Sequence, residues 1–219
     1  MSLPGTAVIP AVYAKRMQAA YSTGEAVMEL IRGGITARQI ISAKSIENAI
    51  TVLMGMGGST NGIMHLQAIY KEAGLGELPL AKFGEMSGRI PQVASVYPAS
   101  PYDMVDFYEA GGVPAVMKEL EMYLNTGCLC CNGRTVGENL SGARCSARRE
   151  VIRTAKEPFH PTGGVAVLTG NMAPMGAVVK PAAIPEQLMR FTGCLLYTSS
   201  GEKSAEAIVN RWLQTSAKG

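Results

Sequence analysis

The pattern of apolar and polar positions changes character at about residue 160. Up to there, apolar residues recur at helical spacing; beyond it they gather in short runs bounded by Gly, Pro and Asn. Pro10 predicts a helix start, because the N–H that proline lacks would have no partner at the first helical position. Val12, Met17, Tyr21, Val27, Met28 and Ile31 fall roughly on one side of that helix and predict its buried face, and Gly33-Gly34 stops it. A second helix is expected from Ser42 or Ser45 through Ile46, Ala49, Ile50, Leu53 and Met54, broken by Gly55, Gly57 and Gly58. Ser59-Thr60-Asn61 then offers three helix-capping residue types ahead of Ile63, Met64, Leu66 and Ile69, and Gly74 ends that helix. Leu80–Met86 reads as a short helix and Val93–Tyr97 as a buried strand. Pro101–Ala110 and Val113–Leu124 read as two helices hinged at Gly111-Gly112, and Thr135–Leu140 as one or two further turns. In the second part, Val165–Leu168 and Ala177–Val179 read as strands, and Gly201–Leu213 as a helix carrying Trp212. The pattern alone therefore predicts a helix-rich α/β chain with domains at 1–160 and 161–219.

Composition adds a hint about surfaces. At 219 residues the chain has room for one large domain or two modest ones. Its 47% hydrophobic and 17% charged residues predict large buried faces, in a core or against a partner. No run of about 18 apolar residues predicts a membrane span. Met1–Gly5 lacks the basic start and apolar stretch of a secretory signal, and five cysteines make an odd count; together these favour a reducing, cytoplasmic setting. The net charge is +3, densest at Arg144, Arg148, Arg149 and Arg153, where Glu150 interrupts and no aromatic residue interleaves. That patch reads as a solvated face rather than a nucleic-acid site.

Four features are candidates for chemistry. The Gly57-Gly58 turn and the helix start at Ser59-Thr60-Asn61 would present backbone N–H groups, the positive dipole end and two hydroxyls, which suits a carboxylate. A capped helix after a glycine break explains the same residues without a ligand, and no Lys follows to make a nucleotide phosphate loop. Cys128-x-Cys130-Cys131 lacks the two-residue gap of common thiolate sites, so a cysteine-rich turn is the plainer reading; Cys145 and Cys194 could join it only through the fold. His65 reads as a core histidine and His160 as a brace at the domain boundary. Glu109, Glu119, Glu121 and Glu138 have spacings that look solvated, and no catalytic nucleophile motif occurs.

Longer runs are more specific. Pro4–Val12, Glu47-Asn48-Ala49-Ile50 with Gly57–Asn61, Ala110–Lys118, Thr135–Asn139, His160-Pro161-x-Gly163-Gly164, and Gly170–Pro174 with Gly176–Lys180 occur in order along the chain. Together they resemble the dihydroxy-acid dehydratase and phosphogluconate dehydratase family, from residue 3 to about 193. The resemblance implies an α/β domain with a parallel sheet over 1–160 and the beginning of a β-barrel-like domain over 161–219. It implies a homodimer at least, and a reaction that removes water from a 2,3-dihydroxy acid to give a 2-keto acid. The implied cofactors are an iron–sulfur cluster, 2Fe–2S or 4Fe–4S, and magnesium.

The departures from the family text carry an expectation of their own. The family places its cluster cysteines, one in a Cys-Asp-Lys run, before the Pro-Gly-Thr-Ala motif, and its base and last metal carboxylate further on. None of those motifs occurs here, and Cys128, Cys130 and Cys131 stand where the family calls for no cysteine. The chain is thus expected to be an interior piece that holds no catalytic or metal-ligating residue and is inactive alone. Ser59, Thr60 and Asn61 are its candidate substrate contacts. Two other readings stand beside the branched-chain dihydroxy-acid dehydratase: an aldonate or phosphogluconate dehydratase piece, and a non-catalytic remnant serving as an assembly module.

Overall fold

A computed structural model describes residues 2–184 and 190. Eight helices come first: α1 Lys15–Arg32, α2 Ala37–Ile40, α3 Ala43–Gly55, α4 Asn61–Glu72, α5 Leu80–Arg89, α6 Met104–Glu109, α7 Gly112–Glu119 and α8 Val136–Ser141. Strands β1, Ala166–Gly170, and β2, Ala173–Val179, follow. These described elements belong to one compact unit, Met1–Ile184. The expected Gly201–Leu213 helix lies outside the described residues.

Helix α3 is the centre of the core. Ser42 starts it as half of a capping box: Ser42 Oγ accepts from the Ser45 N–H at 3.2 Å, and Ser45 Oγ accepts from the Ser42 N–H at 2.9 Å. Ile46, Ile50 and Met54, four residues apart, share one buried face. Around that face lie Phe83 and Met86 of α5, Phe107 of α6, Val116 of α7 and the nearby Leu120. Gly55 ends α3 where a Cβ would overlap the Leu120 side chain, so Leu120 fills the space that glycine leaves. The Gly55 carbonyl accepts from the Val93 and Ala94 N–H groups at 2.8 and 3.0 Å, tying the following extended segment to the helix end.

That segment, expected as a strand over Val93–Tyr97, is buried at Val93, Ala94 and Ser95, whereas Tyr97 is exposed. It forms no strand of a sheet. It pairs only through isolated bridges, Gln92 with His160 and Ala94 with Ile152, because the segments that cross it do so briefly. Among the described residues the sheet is β1–β2, an antiparallel hairpin with Ala166 opposite Val179 and Val167 opposite Val178. The hairpin rests on α5: Gly84 leaves room beneath Val167, and Gly176, at φ +93°, lies against Leu80.

The first helix departs from expectation. It starts at Lys15 rather than Pro10, with Pro10–Ala14 in turns, and none of its residues is buried. The stripe expected to face the core is exposed, with Met17 at 76% and Tyr21 at 73%. Periodicity shows that a helix is amphipathic; it does not say what covers the apolar side. The two helices hinged at Gly111-Gly112 occur as α6 and α7, and both glycines have positive φ, +106° and +58°. Each helix is shorter than the sequence pattern predicts.

Candidate functional site

The α3–α4 turn is built by glycines that admit close neighbours on two sides. Gly57 is left-handed, at φ +58°, and the Gly58 N–H donates to the Leu53 carbonyl at 2.9 Å, closing the helix end. Gly58 and Gly62 both fold over the Leu53 side chain, where a Cβ on either would come within 2.8 Å of it. On the other side, Gly57 meets the side-chain amide of Gln92 and the backbone of Gly164. The Gly164 N–H donates to the Met54 carbonyl at 3.0 Å and the Gly163 N–H to the Ser87 carbonyl at 2.7 Å. Ser87 returns its hydroxyl to the Val165 carbonyl at 2.6 Å. Gly57 and Gly164 therefore interlock beside Gln92, which is 2% exposed. The Gln92 Nε2 donates to the Ala94 carbonyl at 3.0 Å, and its Oε1 is without a partner among the described residues.

This clamp leaves Ser59, Thr60 and Asn61 facing outward, all three exposed. Ser59 Oγ accepts from the Asn61 N–H at 3.3 Å, so the serine holds the turn. Thr60 stands at the N-cap in helical conformation, φ −58° and ψ −27°, and its hydroxyl caps nothing. Among the described residues, the Thr60 hydroxyl and the Asn61 side-chain amide make no hydrogen bond. The start of α4 thus presents a hydroxyl, an amide and a positive dipole end to solvent, a set suited to a carboxylate or a hydroxyl-rich ligand. Sequence spacing offered three successive capping types at this helix start; of their side chains, Ser59 alone accepts from a backbone N–H, that of Asn61.

His65, expected in the core, is exposed, and lies four residues after Asn61 on the same face of α4. The position after Met64 reads as apolar only if the stripe is drawn too wide; Met64 is itself 60% exposed. His160 does brace a crossing through its backbone, accepting from the Gln92 N–H at 2.9 Å. Glu119, expected as solvated, has a side chain only 8% exposed and pairs with Arg149. Part of the basic patch is paired locally: Arg148 bridges Asp106, Glu109 and Glu150, while the Arg153 guanidinium lies 4.3 Å from the centre of the Phe159 ring.

The four described cysteines, Cys128, Cys130, Cys131 and Cys145, are not grouped as ligands. Among the described residues, no three His, Cys, Asp or Glu side chains are arranged to hold an ion. Cys131 donates its S–H to the Ser2 carbonyl at 3.1 Å. Burial pushes the Cys128 and Cys130 thiols up, which favours the protonated form over the ligating thiolate. Cys194 lies outside the described residues.

Sequence reasoning missed how the motifs meet. Gly5 lies 3.8 Å, by its missing Cβ, from Pro114, and Gly112 stands against Val8, so the first motif, Pro4–Val12, seats on the third, Ala110–Lys118. Asn48, buried at 6% exposure, donates to the Asn125 carbonyl at 3.1 Å and accepts from the Asn125 N–H at 2.7 Å. An asparagine in mid-helix, two residues from Ile46 and Ile50, was the available signal for that lock.

The ordered motifs and their mutual packing define a class. A family model described as the dihydroxy-acid/6-phosphogluconate dehydratase N-terminal domain matches residues 1–139, and the corresponding C-terminal model matches residues 150–217. The chain belongs to the dihydroxy-acid/6-phosphogluconate dehydratase family. Within it, the chain is similar to proteins named dihydroxy-acid dehydratase. One from Methanococcoides burtonii is 45% identical over 95% of this chain and 38% of its own length. Others are from Caldanaerobacter subterraneus subsp. tengcongensis, 40% identical over 98% of this chain, and Carboxydothermus hydrogenoformans, 43% identical over 95%. The chain spans 38% of the length of each of these relatives.

Proposed function

We propose that this chain forms the interior scaffold of a hydro-lyase that removes water from a 2,3-dihydroxy acid to give a 2-keto acid. The observation that carries the reading is 45% identity to a dihydroxy-acid dehydratase over 95% of the chain. The favoured setting is branched-chain amino-acid synthesis in the cytoplasm. No helix among the described residues is long and apolar enough to cross a membrane, which is compatible with that setting. In this reading residues 1–160 belong to an α/β domain with a parallel sheet, and residues 161–219 begin a β-barrel-like domain in which the β1–β2 hairpin gains further strands. The intact enzyme in this reading is a homodimer or a higher homo-oligomer.

Ser59, Thr60 and Asn61 form part of the wall that meets the substrate. The free Thr60 hydroxyl and the Asn61 amide bind and orient the substrate carboxylate or a hydroxyl, while the Gly57–Gly164 clamp fixes the turn behind them. The iron–sulfur cluster and magnesium of the intact enzyme are held by other residues, a reading supported by the absence of an ion-holding group among the described residues, and no proton-transfer step is assigned to this chain. An aldonate or phosphogluconate dehydratase is the second reading, supported by the family description, which covers both substrate classes.

A chimaera tests this. The matching 38% of the Methanococcoides burtonii protein is replaced by this chain, and the product is assayed anaerobically with a branched dihydroxy acid and with phosphogluconate. Keto acid from the branched substrate supports the first reading, and keto acid from phosphogluconate alone the second. A folded chimaera inactive on both, beside an active parent, sinks the enzymatic reading and leaves the remnant module.

A further inference from the structure

Helices α1, α3 and α4 end in the same way, which gives the α3–α4 turn two internal comparisons. Each end has a left-handed glycine: Gly34 at φ +66°, Gly57 at φ +58° and Gly74 at φ +75°. The N–H after each glycine then reaches back to a carbonyl of the last turn. Ile35 donates to Leu30 at 2.9 Å, Gly58 to Leu53 at 2.9 Å and Leu75 to Tyr70 at 3.2 Å. The three turns thus close with one backbone pattern.

Their surroundings differ. Gly34 and Gly74 are exposed; a Cβ on Gly34 would meet nothing within 4 Å, and one on Gly74 only the end of the Arg38 side chain, 3.6 Å away. Gly57 is buried, and a Cβ there would come within 2.6 Å of Gln92 Nε2. The Gln92 Oε1 lies 2.9 Å from the Cβ that Gly164 lacks. The flat amide of Gln92 is therefore held between two glycine backbones that leave it room. It is also fixed at both ends. Nε2 donates to the Ala94 carbonyl at 3.0 Å, and the Gln92 backbone is bonded to the His160 carbonyl and the Phe159 N–H, each at 2.9 Å.

An amide is a costly filler for this space. Oε1 is closed to solvent and has no partner among the described residues, and a buried acceptor left unpaired is destabilising. An apolar side chain of the same length would fill the gap without that acceptor. A local rule broken in the core, directly behind the turn that carries Ser59, Thr60 and Asn61, points to a demand other than stability.

We propose that Gln92 is a positioning residue: its amide braces the α3–α4 turn, and through that turn it aims Thr60 and Asn61 at the substrate. The proposal rests on the substrate-wall reading given above. Gln92 is enclosed behind the turn and acts only through it.

Amide exchange of the purified chain, resolved by NMR, tests the brace apart from turnover. The Gly58 N–H is expected to be at least about tenfold better protected than its counterparts at Ile35 and Leu75. Gln92→Met keeps the length of the side chain and removes the anchor to Ala94. It exchanges one unpaired acceptor for another, because the Ala94 carbonyl takes no other hydrogen bond among the described residues. Its Tm should stay within about 4 °C of the parent, while the extra protection of Gly58 is lost. In the chimaera Gln92→Met should lower kcat/KM at least about tenfold, and should add little to Thr60→Val, because both act on one contact.

Equal protection at residues 35, 58 and 75 of the parent chain overturns the proposal, even if the variant fails to fold. A variant whose α3 core amides open together with Gly58, at a lowered Tm, overturns it too, since Gln92 is then a core residue and no more. Full kcat/KM in the variant has the same force, as does a loss that multiplies with that of Thr60→Val. An unsubstituted chimaera inactive on both substrates counts against the hydro-lyase reading instead, and the exchange pattern then still decides whether Gln92 braces the turn.

Discussion

Gly164 backs onto Gly57 so closely that a methyl group on Gly164 would overlap the Gly57 Cα. Both backbones are pinned, Gly164 by its N–H to Met54 and Gly57 by its N–H to the same carbonyl, so neither can withdraw cheaply. Gly164→Ala is expected to destabilise the chain by about 2–3 kcal/mol, as overpacking of a buried contact does. In a unit of this size that is a fall of roughly 4–12 °C in Tm. Gly142→Ala, where a Cβ would meet nothing within 4 Å, is the matched control. Equal melting of the two variants would show that the clamp is loose.

The glycine clamp also shows what sequence could and could not convey. Ser42, Thr135 and the Gly111-Gly112 hinge are local signals, and the structure uses each where its type predicts. Asp103 is another, its Oδ1 accepting from the Val105 and Asp106 N–H groups, although the pattern had begun that helix at Pro101. Gly57 and Gly164 stand more than a hundred residues apart, and nothing local tells a glycine kept for a turn from one kept for a neighbour. The stripe of α1 shows the converse: its period was legible, its exposure was not, because burial belongs to the partner as much as to the helix. At the candidate site the three capping residue types were plain, but only coordinates separate Ser59, which caps, from Thr60, which does not.

Acid should destabilise the described unit through a few carboxylates, Asp106 half-buried and Glu138 and Glu150 exposed. The Asp103 N–H, and then the Arg148 guanidinium, hold the Asp106 carboxyl below its ordinary value. The Thr135 N–H and hydroxyl do the same for Glu138, and Glu150 is lowered by its backbone hydrogen bond and by Arg148. A carboxyl lowered in the folded state adds stability above its unfolded value, and that stability is lost as pH falls through the folded value. The denaturant midpoint is therefore expected to be flat above about pH 5 and to fall below about pH 4, near and under ordinary carboxyl values. Glu138→Gln should be less stable at neutral pH and have a shallower acid limb. Parallel acid limbs in the two proteins would exclude the capping box as a source.

Three of the thiols should react more slowly in the folded chain than in the unfolded one. Desolvation pushes the Cys145 thiol up, with Glu119 adding to it, although the residue is exposed, and burial raises Cys128 and Cys130. Because the thiolate is the reactive and ligating form, alkylation at mildly alkaline pH should be slower at all three in the folded chain than in denaturant. Mass mapping of the modified peptides reads this site by site. Incubation with iron and sulfide should give no cluster absorption that Cys128→Ser or Cys130→Ser removes. An absorption band lost with either substitution would make the Cys128–Cys131 turn a cluster site after all.

Thr60 offers the sharpest separation of function from folding. Its hydroxyl caps nothing and its side chain is exposed, so Thr60→Val should change stability by no more than about 0.5 kcal/mol, the ordinary range for a surface substitution. Ser59→Ala, which removes the Oγ that accepts from the Asn61 N–H, should cost about 0.5–1 kcal/mol. In the chimaeric enzyme the order should reverse. Thr60→Val should lower turnover at least about tenfold, as loss of a positioned hydrogen-bond donor does, and Ser59→Ala less. Measuring kcat/KM and Tm for both variants in the same preparation tests the two halves at once. If Thr60→Val melts early and turns over normally, residues 59–61 are a helix start and nothing more. If it melts normally and turns over slowly, the uncapped threonine is the contact that the glycine clamp exists to hold in place.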